Sequence, residues 1–220
     1  MKHAHVLPAL IVALLTAGVT AAHADVRITE WMYNGNAEFV EFTNLGTTAV
    51  DFAGWSYDDS GATPGAFDLS GFGLVAPGES VILTEALATD FRADWGLAAS
   101  VKILSGYTHN LGRADQINLF NGATLIDRLT YADNGAAGGP RTNGVSGIAG
   151  TAAALGADDA SLWQLSAVGD FEHSFASLGG ETGSPGFTQY AAAVPEPEAW
   201  TMLLAGLGLI GFMARRRSRA

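Results

Sequence analysis

Between residues 25 and 190, apolar and polar positions alternate with a period of two rather than 3.6. VRITEWMY, EFVEFTN, FAGWSY, ESVILTE, SVKILSG, DQINLF, TLIDRLTY and SLWQLS are short and rich in β-branched and aromatic residues, and each predicts a strand. Turn chemistry separates them: NGN at 34–36, LGTT at 45–48, APGE at 76–79 and NGAT at 121–124. Asn121-Gly122 between two apolar runs predicts a hairpin. Many short strands at short spacing predict an all-β sandwich or barrel.

Two stretches depart from that rhythm. LATDFRADWGL (87–97) puts Leu87, Phe91 and Trp95 on one helical face, with Gly96 where a helix would stop. One short helix is expected there, laying Phe91 and Trp95 over an open end of the sheet. Residues 134–157 are Gly/Ala-rich and keep no strand period, so they are expected as a long, mobile surface loop inserted in one domain. Trp31, Trp55, Trp95 and Trp163 are the candidates for stacking on carbohydrate; if one is exposed it is Trp31, which alternates against Ile28 and Met32. Trp55, Trp95 and Trp163 are mostly expected in the core. In GRADQINLF, Asp115 is expected to close a turn through its side chain. Ile117 and Phe120 are one residue out of register there, which predicts an irregularity near Asn118.

The two ends of the chain read as targeting segments. Lys2, the apolar run 6–19 and Ala22-His23-Ala24 form a secretory signal peptide (1–24) with cleavage after Ala24. Residues 191–220 hold Pro195-Glu196-Pro197, an apolar run over 199–214 and the cluster Arg215, Arg216, Arg217 and Arg219. Sixteen residues make a helix of about 24 Å, short against a bilayer core of about 30 Å. The arginines determine topology by staying cytoplasmic, which leaves the body outside the inner membrane.

Charge and composition narrow the chemistry. The body at 25–193 carries 20 acidic against 6 basic residues, a net charge of −14, which disfavours nucleic acid as a partner. There is no cysteine, so the exported fold must hold without disulfides. His109 and His173 are the only histidines of the body, and no G-x-S-x-G accompanies them; a hydrolytic triad has little to stand on. Asp58 and Asp59 are the leading candidates for a calcium site, although they lack the D-x-D-x-D-G spacing; a solvated acidic turn is the default reading. No other cofactor is implied. The G-x-G-x-x-G at 206–211 follows no strand and opens no βαβ unit, so it is read as small residues in a membrane helix.

The phrases VRITEWMYN, EFVEFTNLG, VDFAGWSYDD, FDLSGFGLVAPGESVILT and LGRADQINLFNGATLIDRLTY stand in an order that resembles the lamin-tail domain; SLWQL and TGSPGF resemble its ending. The resemblance implies an immunoglobulin-like β-sandwich over 25–190. VPEP, an apolar run and arginines together resemble the PEP-CTERM sorting signal of Gram-negative bacteria. That resemblance implies recognition at Pro195, Glu196 and Pro197 by an exosortase-type enzyme, after signal peptidase has acted. A non-enzymatic binding or structural module of the cell envelope or extracellular matrix is then expected, transiently anchored in the inner membrane. Extracellular polysaccharide is a possible partner; a calcium-assisted adhesin or carbohydrate-binding protein is the alternative, and an extracellular hydrolase a third. Whether the tail persists or is cleaved stays open.

Overall fold

A computed structural model describes residues 25–107, 110–133 and 138–191. The signal peptide, His109, the sorting motif, the expected membrane helix and its arginines lie outside the described residues. The described chain runs β1 Val26–Met32, β2 Phe39–Asn44, β3 Val50–Asp51, β4 Trp55–Asp58, β5 Phe67–Asp68, β6 Leu74–Val75, β7 Ser80–Thr84, α1 Ala88–Trp95, β8 Lys102–Ser105, β9 Ala114–Asn121, β10 Thr124–Ala132, β11 Gly147–Ala149, β12 Trp163–Leu165, β13 Phe175–Ala176 and β14 Thr182–Gly183. β12-β11-β1-β2-β7-β8 form a six-stranded sheet, and β10-β9-β4-β5 a four-stranded one. The alternation predicts an all-β sandwich or barrel, and the two sheets form a sandwich of the immunoglobulin-like kind that the lamin-tail resemblance implies. Asn121 and Thr124 close the expected hairpin.

The main core lies between the sheets. Val40, Phe42, Val81 and Leu83 from one face meet Tyr57, Ile117, Leu119, Leu129 and Tyr131 from the other. Trp31 joins them and is 0 % exposed, so the tryptophan whose alternation made it the candidate for exposure lies in the core. The cause is a β-bulge. Ile28 pairs with Phe42 but Glu30 pairs with Glu41, so the register slips at Thr29. One extra residue reverses every later side chain. Val26 and Ile28 face the core before the slip; Trp31 and Tyr33 face it afterwards.

A second slip falls in β10, between Leu125 and Asp127. The irregularity expected near Asn118 is therefore on the opposite strand. Asn118 itself stays in regular pairing because its buried amide is satisfied: Nδ2 donates to the Asp59 carbonyl at 2.6 Å, and Arg128 Nε donates to its Oδ1 at 2.5 Å. Asp127, past the bulge, ties the sheets together by accepting the Ile28 backbone N–H at 2.8 Å.

α1 connects β7 to β8, the parallel pair of the larger sheet. It stops at Gly96, which takes the left-handed conformation with φ 62°. The helix covers the outer face of the sheet rather than an open end. Phe91 and Trp95 pack on Phe39 with ring centroids 5.4 and 6.0 Å apart, beside Met32 and Ile82. β2 is thus buried on both faces.

The Gly/Ala-rich stretch is not simply a surface loop. β11 lies within it and pairs with both β1 and β12. Its small residues serve close approach: a Cβ on Gly147 would stand 2.9 Å from Trp31 Nε1. A strand built against an indole needs glycine there, and this removes the alternation that would have announced it.

The Trp31→Ala variant is expected to lose about 3–5 kcal/mol of stability, as large aromatic truncations in a core do. Urea unfolding measures it; a change below about 0.5 kcal/mol, the surface norm, would contradict the buried assignment.

Candidate functional site

The bulge in β1 has a chemical consequence on the outer face of the larger sheet. Glu30 and Glu41 become direct cross-strand partners there, and both are buried. The C-terminal segment roofs them. Ser184 donates to Glu30 through its backbone N–H at 2.8 Å and its hydroxyl at 3.1 Å. The Ser146 hydroxyl also donates to Glu30. Glu41 accepts the Thr29 hydroxyl at 2.6 Å and the Gly186 N–H at 2.6 Å. Farther along, Glu172 accepts the Thr188 hydroxyl and the Gln189 N–H. Paired carboxyls are the raw material of acid–base catalysis; here their oxygens hold a strap of chain in place.

Burial raises the Glu30 carboxyl above the ordinary range, and the neighbouring Glu41 raises it further. Burial also raises Glu41, against the opposing bonds from Thr29 and Gly186. At the other end of β2, burial pushes Glu38 up to about 7, although the Leu111 N–H and the Tyr107 hydroxyl bind it. Asp127 is pushed up to about 6 by burial. A carboxyl with a raised native pKa binds its proton more tightly folded than unfolded. These groups therefore favour the fold in mild acid, and the benefit is lost as pH rises through about 6 to 7 and beyond. Asp133 and Asp68 are lowered instead, by hydrogen bonds from Arg113 and from Ser70 respectively, and act only in stronger acid. The melting temperature is expected to fall by several degrees between about pH 5.5 and pH 8. A Glu30→Gln/Glu41→Gln double variant should show a flatter profile in thermal melts; an unchanged slope would contradict the assignment.

A cleft of about 310 Å³ is lined by Tyr33, Asn34, Leu111, Gly112, Arg113, Arg141 and Asn143. Asp133, at the end of β10, organises it. Arg113 Nε reaches both oxygens of Asp133 at 2.9 and 3.0 Å, and its Nη2 reaches Oδ1 at 2.9 Å. The Tyr33 hydroxyl donates to Oδ2 at 2.5 Å. Arg141 Nε stands 3.6 Å from the same carboxylate. Both arginine side chains remain 61 % exposed. Asn34 Nδ2 donates to Asn143 Oδ1 at 2.6 Å across the cleft. Local structure explains the placement. Tyr33 follows β1, its N–H bonded to the buried Thr142 hydroxyl, and Asn34 and Asn143 form an isolated parallel bridge.

The residues singled out in the sequence are scattered. Asp58 Oδ2 accepts the Thr63 N–H at 2.6 Å, and Asp59 Oδ1 accepts the Gly61 N–H at 3.2 Å, so both carboxylates cap their own turn. Among the described residues no group of three or more His, Cys, Asp or Glu side chains is placed to hold a metal ion. His173 is exposed and packs on the Phe187 ring at 5.3 Å. Trp55, Trp95 and Trp163 are buried with Trp31, so all four proposed stacking platforms are core residues. Asp115 closes its turn as expected, accepting the Gly112 N–H at 2.7 Å. Arg113 and Arg141 were not singled out. Their signal was present: they are two of only six basic residues in a body of charge −14.

A family model for the Lamin Tail Domain matches residues 19–133. A second, for the PEP-CTERM protein-sorting motif, matches residues 193–217; it takes in Pro195, Glu196, Pro197, Arg215, Arg216 and Arg217, and stops short of Arg219. No curated protein and no solved structure matches the chain. The first match ends after β10, so SLWQL and TGSPGF lie beyond it, although β11 and β12 complete the same sheet.

Proposed function

Because the chain belongs to the Lamin Tail Domain family and carries a PEP-CTERM protein-sorting motif, we propose that it is a non-enzymatic binding or structural module of the cell envelope or extracellular matrix. The motif marks an exported protein sorted at the membrane by an exosortase-type system in Gram-negative bacteria. The observation that carries the reading is the closeness of that motif to a closed body. Tyr190 is docked, its hydroxyl donating to the Ala149 carbonyl at 3.0 Å and its ring packing on Phe171 at 6.2 Å. Four residues on from Ala191 stands Pro195, a reach of at most about 14 Å. The body is then cargo held close to the membrane face until the motif is processed. The commitment of the buried carboxyls to internal hydrogen bonds supports a role without chemistry of its own.

In the host, mass spectrometry is expected to find a mature chain that begins at Asp25 and lacks the residues after the Pro-Glu-Pro. Replacing Pro195, Glu196 and Pro197 with alanine should leave the uncut chain in the inner-membrane fraction. Release at the normal level from that variant would overturn the sorting assignment.

A further inference from the structure

We infer that the cleft between Arg113 and Arg141 binds a hydroxylated carboxylate of the kind a uronic acid residue of a polysaccharide presents. The inference rests on the binding-module reading and names the ligand class for it. Four observations point to it. First, the structure needs one arginine at Asp133, not two. Arg113 already engages both carboxylate oxygens and Tyr33 adds a further bond, whereas Arg141 approaches Asp133 at 3.6 Å through Nε and also bonds with the Tyr33 hydroxyl. That contact is longer than the Arg113 contacts of 2.9 and 3.0 Å, and the Arg141 side chain stays 61 % exposed while it makes it.

Second, two of the body's six basic residues stand at this one cleft. Two guanidinium groups flank the Asp133 carboxylate in a body of net charge −14, with the Asp115 carboxylate tied to Gly112 at the cleft's edge. Hydrogen bonds from Arg113 and Tyr33 hold the Asp133 carboxyl below its ordinary pKa, and Asp133 raises Arg113, so this pair stays ionised throughout the neutral range. Such a body repels anions generally; this cleft is where one could be received. Guanidinium geometry suits a carboxylate.

Third, the neighbouring groups suit hydroxyls. Asn34 acts as donor and Asn143 as acceptor in their mutual bond, so each amide retains its complementary half, an acceptor on Asn34 and a donor on Asn143. Both side chains are exposed at the rim. A carboxylate flanked by vicinal hydroxyls meets both needs. Fourth, a volume of about 310 Å³ is at the small end of ligand pockets and fits one sugar unit of a chain passing through an open cleft.

The test uses the full chain in mild detergent and isothermal titration calorimetry with three probes: trigalacturonate, the neutral galactotriose and a glutamate-rich peptide. Trigalacturonate is expected to bind, galactotriose not to bind, and added salt to weaken the affinity. Arg141→Gln is expected to weaken binding at least about tenfold while its melting temperature stays near that of the parent, since Arg113 keeps Asp133 engaged. No binding of trigalacturonate, equal binding of the two sugars, tighter binding of the peptide, or undiminished binding by Arg141→Gln with its fold intact would each overturn the inference. None of these results bears on the mature termini, so the sorting assignment stands or falls separately.

Discussion

The slip of register at Thr29 is the constraint from which much else follows. Upstream of it, Val26 and Ile28 face the four-stranded sheet; downstream, Trp31 and Tyr33 do. The slip brings a large indole into the core and turns Glu30 outward, opposite Glu41. A pair of carboxyls on adjacent strands is unfavourable by itself, and burying them adds a desolvation cost. The chain offsets that cost with backbone N–H and hydroxyl groups from Ser146, Ser184 and Gly186. The outer face of β1 and β2 is complete only when those distant residues are in place.

A protein without cysteine has to fix its irregular C-terminal segment by other means. Here carboxylates take that part. Glu30, Glu41 and Glu172 each receive a backbone N–H from residues 184–189, a stretch with few strand contacts of its own. The bonds are directional and specific to particular amides, so they define one path for the strap. Their strength depends on proton occupancy, a dependence that a disulfide would not show.

The regular elements were legible because their signals are local. Alternation marked β1, β2, β7, β9 and β10, and Phe91, Trp95 and Gly96 marked the helix and its end. Trp31 was the candidate for exposure because a bulge leaves no trace in apolar spacing: Ile28 and Trp31 share a face only through the extra residue between them. β11 was hidden for a related reason. Its glycine is dictated by the indole across the strand pair, a fact about tertiary contact that strand propensity does not encode. The cleft was hidden because Tyr33, Arg113, Asp133 and Arg141 come from four separate stretches of chain, gathered around a carboxylate that looked like one acid among twenty.

Gly147 against Trp31 and Gly186 against Glu41 also set how much of the chain the fold requires. β1 and β2 precede by more than a hundred residues the partners that close their edge and outer face. Short of residue 147, the Trp31 indole lacks the glycine that lies over it; short of residue 186, the carboxyl pair is unroofed. Pro195 follows only nine residues behind Gly186. The residues that roof the carboxyl pair therefore stand next to the sorting motif along the chain.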